Sequence, residues 1–95
     1  TVDLPGRLVW RNSRQLELTP REFDLLVFFL RNPNIVLTRD QIMERIWGSD
    51  NWGDSNVLEV FIANLRRALE AQGEPRVIQT VRGVGYVLRL PPDRP

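Results

Sequence analysis

The side chains best suited to recognise another molecule lie along one predicted helix, from about Asn56 to Ala71. Spacing its residues at 100° gives an outward face without an acidic residue, made of Asn56, Val60, Ala63, Asn64 and Arg67. Amide and guanidinium groups form paired hydrogen bonds with the edges of nucleic-acid bases, and an apolar side chain suits the thymine methyl group. An ordinary solvated helix face has the same appearance, because isolated exposed valines are common. The helix alone leaves both interpretations open.

The opposite face and the flanks of this helix predict its packing. One narrow apolar stripe comprises Leu58, Ile62, Leu65 and Leu69. Glu59 and Arg66 share one flank, from which we predict that Glu59 orients Arg66. We expect Ser55 or Asn56 to cap the first turn of the helix.

A second candidate site is the turn Arg82-Gly83-Val84-Gly85, between the predicted strands Val77–Val81 and Tyr86–Leu90. Its two glycines permit positive φ and a thin tip able to enter a minor groove. Arg82 stands at the edge of this tip, and a narrow minor groove attracts guanidinium groups. The glycines do not form a phosphate-binding motif, since a third glycine is missing and a strand follows. A plain hairpin turn remains the alternative interpretation.

Turn-forming dipeptides predict a small antiparallel sheet at the amino terminus. Pro5-Gly6 and Asn12-Ser13 separate three short apolar-rich runs, Val2–Leu4, Leu8–Trp10 and Gln15–Leu18.

A first helix is predicted to follow this sheet directly. Thr19 is a suitable N-cap, Pro20 suits the first helical position, and Glu22 completes a capping box. Its apolar stripe comprises Phe23, Leu26, Val27 and Leu30. Asn32-Pro33-Asn34 ends the helix.

A second helix is predicted after an extended link at Ile35–Leu37. Thr38 and Gln41 form another capping box at its start. Its apolar face comprises Ile42, Met43, Ile46 and Trp47. Strands, three helices and a terminal hairpin in this order predict an α+β winged helix-turn-helix fold, in which the hairpin is the wing.

Composition argues against catalysis. The 95 residues make one small domain over residues 1–90, followed by a frayed tail at residues 91–95. No cysteine, histidine or lysine is present, which removes the commonest metal ligands, general bases and amine nucleophiles. The acidic residues are scattered over helix starts and loops. We therefore expect no enzyme, no metal and no cofactor.

Charge distribution favours the carboxyl-terminal third as a binding region. The net charge is only +1, yet residues 63–95 contain six arginines and three acids, a balance of +3. Every basic residue is arginine, whose planar fork binds phosphate and guanine in a bidentate way. A GC-rich genome would produce the same bias. The chain contains no apolar run of membrane-spanning length and no signal-peptide pattern, so we expect a soluble cytoplasmic protein without membrane contact.

Three runs of the chain together resemble the winged-helix effector domain of OmpR/PhoB-type bacterial response regulators. They are LTPREFDLLVFFLRNPNIVLTRDQIMERIWG, SNVLEVFIANLRRALE and VIQTVRGVGYVLR. The resemblance implies a transcription factor of two-component signalling that binds double-stranded promoter DNA at tandem repeats as a head-to-tail homodimer. It also implies RNA polymerase as a partner, and an amino-terminal receiver domain, outside this chain, on which a cognate histidine kinase acts.

The resemblance assigns roles to individual residues. The base-contacting face of the family corresponds to Val60, Asn64 and Arg66, with Arg67 alongside, and its minor-groove arginine to Arg82. Its phosphate contacts correspond to Arg39, Trp47, Asn56 and Thr80. The loop Gly48–Asp54 matches the segment that some members present to RNA polymerase, which makes contact candidates of Asp50, Asn51 and Trp52. Trp52 folded back onto the core is the alternative.

Departures from well-known members predict weaker binding by the isolated domain. Phe61, Ala63 and Asn64 stand where those members carry polar or cationic side chains. Arg66, Arg67 and Arg82 must then supply more of the electrostatic attraction, with greater dependence on dimerisation. A winged helix that binds proteins instead of DNA is the competing hypothesis, and its binding would lack the steep salt dependence of phosphate contacts.

Overall fold

A computed structural model describes residues 2–11, 13–48 and 56–90 of the chain. Three strands, three helices and a terminal hairpin follow one another as the sequence predicts, with one further short strand between the first and second helices. The expected winged helix-turn-helix architecture is confirmed.

The amino-terminal sheet contains β1 (Val2–Asp3), β2 (Leu8–Arg11) and β3 (Arg14–Gln15), with β2 in the centre. The third strand is shorter than the predicted run to Leu18, although the Leu16 amide still donates to the Val9 carbonyl at 2.8 Å. This sheet places the side chains of β2 and β3 beside the helices.

Both predicted capping boxes are confirmed in the first two helices. At α1 (Pro20–Leu30), the Glu22 amide donates to the Thr19 hydroxyl at 3.3 Å, and the Glu22 carboxylate accepts from the Thr19 amide at 3.0 Å. At α2 (Arg39–Trp47), Thr38 and Gln41 form the same reciprocal pair. Each box satisfies amide groups that have no partner within the helix.

The carboxyl-terminal sheet has one strand more than the predicted hairpin. β4 (Leu37–Thr38) pairs with β6 (Gly85–Leu88), which also pairs with β5 (Ile78–Val81). The predicted extended link therefore ends in a strand. Gly85 permits this pairing, because a Cβ atom there would overlap the Leu37 carbonyl oxygen and lie 2.8 Å from the Thr38 Cα atom.

The third helix, α3 (Val57–Leu69), is slightly shorter than the predicted stretch from Asn56 to Ala71. Asn56, one of the two predicted capping residues, is the N-cap residue of α3, but its side chain accepts no capping hydrogen bond. Its backbone, at φ −97° and ψ 25°, is not in the extended conformation that turns an N-cap side chain towards the first turn. Ser55, the other capping candidate, lies outside the described residues.

The core lies where α1, α2 and α3 meet the carboxyl-terminal sheet. All four residues of the predicted α3 stripe are buried, namely Leu58, Ile62, Leu65 and Leu69. Leu25 and Phe29 of α1 are also completely buried, although they lie beside the predicted α1 stripe. Packing of α3 on its apolar stripe turns the opposite face outward. Among the described residues, no helix is long and apolar enough to cross a membrane.

Candidate nucleic-acid interface

The outward face of α3 is open to solvent, as its periodicity predicts. Val60 is 46% exposed, and Asn56, Ala63 and Arg67 are exposed as well. Asn64 is half-buried, and its Oδ1 atom accepts a hydrogen bond from Nη1 of Arg67 at 2.7 Å. Residues three apart on a helix are surface neighbours, so this bond is local to α3. The face thus combines two exposed apolar side chains, Val60 and Ala63, with an amide that is hydrogen-bonded to a guanidinium.

Arg66 connects α3 to the hairpin instead of projecting outward. Its Nε atom donates to the Ile78 carbonyl at 2.9 Å, and its Nη2 atom donates to the Thr80 hydroxyl at 2.8 Å. The guanidinium also lies 5.7 Å from the ring centre of Tyr86. Burial lowers the pKa of Arg66, yet an arginine remains charged under such conditions. Arg66 therefore fixes the position of α3 relative to β5.

Glu59 pairs with Arg39 and not with Arg66, so the predicted Glu59–Arg66 contact is wrong. The Arg39 Nε atom lies 2.8 Å from Glu59 Oε2, and its Nη2 atom lies 3.2 Å from Oε1. Residues seven apart on a helix are separated by about 10 Å along its axis, which places Arg66 too far along α3. Hydrogen bonding between the partners lowers the pKa of Glu59 and raises that of Arg39. The pair joins the start of α2 to α3.

A groove runs between α3 and the hairpin. It is lined by Arg39, Glu59, Thr80, Val81, Gly83, Val84, Gly85 and Tyr86. Tyr86 is half-buried there, and burial raises the pKa of its hydroxyl. Tyr86 was not among the residues predicted for this site. The hairpin register indicates it, because Tyr86 lies directly opposite Thr80 across the two strands.

The tip of the hairpin projects beyond the sheet. Gly83 has φ +75°, as expected for the turn, and Val84 is 47% exposed. The Val84 carbonyl accepts a hydrogen bond from the Arg39 amide at 3.2 Å, which links the tip to the start of α2. Arg82 is exposed, and no hydrogen bond to another described residue involves its side chain. Its guanidinium is therefore available to an external group.

Trp47, a predicted phosphate contact, is half-buried at the end of α2. Its ring meets Phe61 edge to face, with centroids 5.1 Å apart and planes at 87°. Phe61 of α3 therefore packs against Trp47 of α2 and is not part of the outward face. The guanidinium of Arg21 lies 5.6 Å from the Trp47 ring centre. Arg21 was not among the predicted site residues, since nothing in its spacing relates α1 to the end of α2.

Two arginines of the amino-terminal hairpin hold the carboxyl end of α3. Arg11 donates to the Leu69 carbonyl at 2.9 Å and to the Pro75 carbonyl at 2.8 Å. Arg14 donates to the Ala68 carbonyl at 3.2 Å and forms an ion pair with Glu74. The last carbonyls of a helix have no partner within it and carry partial negative charge, which favours a cation. More than fifty residues separate each arginine from these carbonyls, so sequence reasoning did not find the contact.

The structure thus brings most of the candidate residues to one side of the molecule. Val60, Asn64 and Arg67 share the α3 face, while Arg39 and Thr80 line the adjoining groove. Arg66 lies behind that face. The polymerase-contact candidates Asp50, Asn51 and Trp52 lie outside the described residues. Within the described ranges, no cluster of three or more metal-binding side chains is present.

Comparison with known proteins identifies the relatives of this chain. A family described as "Transcriptional regulatory protein, C terminal" matches residues 13–88. The response regulator MprA of Mycobacterium sp. strain KMS is 55% identical over 92 residues, which cover 97% of this chain and 40% of the relative. The transcriptional regulatory protein PrrA of Mycobacterium tuberculosis is 52% identical over 89 residues, covering 94% and 38%. The chain thus spans about 40% of the length of these relatives.

Two solved structures of similar fold contain DNA. The DNA-binding domain of the response regulator AdeR, in complex with an intercistronic region, has a TM-score of 0.83 and 32% identity, covering 96% of this chain and 93% of that one. The Klebsiella pneumoniae RstA DNA-binding domain, in complex with the RstA box, has a TM-score of 0.81 and 27% identity, covering 93% and 88%.

Proposed function

The chain belongs to the family of carboxyl-terminal domains of transcriptional regulatory proteins, and we propose that it binds double-stranded promoter DNA as the effector domain of a two-component response regulator. The contact between Arg66 and β5 carries this proposal. It holds α3 beside the hairpin, so that the outward helix face and the wing project from adjacent elements. A helix fits the major groove, while a thin arginine-bearing tip fits the minor groove.

In the proposed complex, the outward face of α3 contacts base edges and Arg82 enters the minor groove. Val60, Asn64 and Arg67 supply the base contacts, with Arg66 positioning the helix that bears them. Because Arg66 uses two of its nitrogen atoms inside the protein, a direct base contact by Arg66 would require these bonds to break.

Phosphate contacts are proposed for the residues around the groove, which are Arg39, Trp47, Asn56 and Thr80. Arg39 must share its charge between a phosphate and Glu59, which weakens its attraction for DNA. The Thr80 hydroxyl already accepts a hydrogen bond from Arg66, and its own proton is available to a phosphate oxygen.

The remaining partners belong to the longer protein that the relatives suggest. We infer a receiver domain preceding this chain, a cognate histidine kinase acting on it, and a head-to-tail homodimer on tandem repeats in the cytoplasm. Contact with RNA polymerase through Asp50, Asn51 and Trp52 belongs to the same proposal. The response-regulator names of the relatives support it, as does the share of their length that this chain covers. No catalytic step is part of this function.

Salt dependence tests DNA binding against the competing protein-interaction role. Affinity for duplexes selected from a random pool is measured between 50 and 200 mM salt. If several phosphates are neutralised, log affinity should fall steeply with log salt, by about 0.9 for each phosphate contacted. Absence of duplex binding at low salt, also in a dimeric form of the protein, would favour the protein-interaction role.

A further inference from the structure

We propose that Asn64 and Arg67 form one reading unit that selects guanine over adenine in the major groove. This inference rests on the proposed DNA binding and adds to it the base that the outward face of α3 recognises. The hydrogen bond between the two side chains decides which atoms of the amide remain available to a base.

The carbonyl oxygen of the Asn64 amide already accepts one hydrogen bond within the protein. Its Oδ1 atom accepts from Nη1 of Arg67 at 2.7 Å, a short bond assisted by the charge of the guanidinium. The Nδ2 group of Asn64 then points its two hydrogens away from Arg67. Nε and Nη2 of Arg67 have no hydrogen-bond acceptor among the described residues. The unit therefore offers several donors, and its one acceptor, Oδ1, keeps a single lone pair beside a positive charge.

The carboxylates at the two ends of α3 do not compete with Asn64 for Arg67, because both form ion pairs with other arginines. Glu59 is held by Arg39, with atoms 2.8 Å apart, and Glu70 is held by Arg76 at 3.0 Å. Glu59 and Glu70 are the acidic residues at the two ends of the helix, and both are engaged. Asn64 is thus the acceptor that α3 leaves to Arg67.

A unit rich in donors and poor in acceptors distinguishes the two purines in the major groove. Guanine presents two acceptors there, N7 and O6. Adenine presents the acceptor N7 beside the N6 amino donor, so an asparagine recognises it by supplying a donor and an acceptor together. With one of its two lone pairs engaged and a positive guanidinium beside it, Oδ1 of Asn64 is a poorer acceptor for the N6 amino group of adenine. Guanine satisfies the available donors, which makes it the favoured base.

Val60 marks the register of this contact. It lies four residues before Asn64 on the same face, about 6 Å along the helix axis, and is 46% exposed. That distance corresponds to about two base-pair steps of 3.4 Å each. We therefore expect a thymine methyl group opposite Val60, within about two base pairs of the guanine.

In vitro selection from a random duplex pool tests the proposal with this chain and its variants. Asn64→Ala identifies the base pair that Asn64 faces, since selectivity weakens there. At that position the wild type should favour guanine over adenine by about fivefold or more. Arg67→Ala frees Oδ1 of Asn64, so the guanine-to-adenine ratio should fall about tenfold and adenine should become acceptable.

Arg31→Ala provides a matched control, since it removes one exposed arginine at the end of α1, away from the α3 face. It should lower affinity slightly without changing base preference. A wild type that favours adenine at the identified position would overturn the proposal, as would an unchanged ratio in Arg67→Ala. If the wild type selects no duplex at all, the proposed function itself fails and the base reading fails with it.

Discussion

The two sides of α3 use the same residue type in opposite ways. On the side that packs against the rest of the domain, here called the framework side, Arg11 and Arg66 hold the helix in place. Arg11 donates to the Leu69 and Pro75 carbonyls, and Arg66 donates to the Ile78 carbonyl. On the outward side, Arg67 donates a hydrogen bond to its helical neighbour Asn64, and Arg82 extends from the wing without a hydrogen bond to the described residues. Framework arginines reach acceptors that protein folding has already fixed, whereas outward arginines remain available to an external anion.

The acceptors explain this division. The hydrogen bonds to the Leu69 carbonyl at the end of α3 and to the Ile78 carbonyl of β5 are partly buried. A charge-assisted hydrogen bond contributes more at such a site than at an exposed one. An exposed arginine gains little from a single surface partner. Substitutions should therefore divide into those that alter unfolding and those that alter binding.

The largest effect on the free energy of unfolding is expected from two glycines, Gly85 on the framework side and Gly83 at the outward tip of the wing. Gly85→Ala forces the β4–β6 contact apart, because the added Cβ would overlap the Leu37 carbonyl, and should lower the free energy of unfolding by about 3 kcal/mol. Gly83→Ala at the wing tip meets no atom within 4 Å and faces only the strain of φ +75°, about 1–2 kcal/mol. Urea unfolding measures both. Equal losses in the free energy of unfolding would show that an added methyl group is tolerated no better at the wing tip than beside β4.

A framework arginine should come next. Arg11→Ala removes hydrogen bonds to the Leu69 and Pro75 carbonyls and should lower the free energy of unfolding by about 2 kcal/mol. For a domain of this size, the melting temperature should fall by roughly 10 °C. Circular dichroism on heating measures the change, with Arg31→Ala as the matched loss of an exposed arginine. A melting temperature equal to that of Arg31→Ala would show that the hydrogen bonds of Arg11 do not stabilise the fold.

The outward arginine of the wing should show the reverse pattern. Arg82→Ala is expected to weaken duplex binding about tenfold and to relax the preference for A·T-rich flanks. Its free energy of unfolding should stay within about 0.5 kcal/mol of the wild type, because the side chain is exposed. Fluorescence anisotropy with A·T-rich and G·C-rich flanks measures the effect. An equal loss on all sequences would assign Arg82 to phosphate contact alone.

The smallest effect concerns the Arg39–Glu59 pair, which joins the two sides. Hydrogen bonding to Arg39 lowers the pKa of Glu59 from its ordinary value of 4.5, so the pair stabilises the fold above that pH and loses this contribution as the pH falls through the lowered pKa. Glu59→Gln should cost less than about 1 kcal/mol at pH 7, because the pair is partly exposed. Urea unfolding at a series of pH values downward from 7 measures the difference, which should shrink as the pH falls below 4.5 and through the lowered pKa of Glu59. A difference that does not change with pH would contradict the ion-pair explanation.

Much of the fold could be predicted because its signals are local. The capping boxes at Thr19 and Thr38 involve residues three apart, and the α3 stripe follows from helical periodicity alone. Strand β4 of the carboxyl-terminal sheet was not predicted, since its two residues, Leu37 and Thr38, carry too little pattern to indicate a partner at Tyr86. Strand pairing depends on segments that are distant in the sequence.

The sequence by itself determined which face of α3 points outward, where the wing turns, and which residue types are present there. Tertiary structure decided which partner each arginine takes. Arg39 reached Glu59 twenty residues away, Arg66 turned to β5, and Arg11 closed the end of α3 from the opposite end of the chain. A guanidinium at the end of a long side chain binds whichever acceptor the fold brings within about 3 Å, and sequence spacing does not fix that distance.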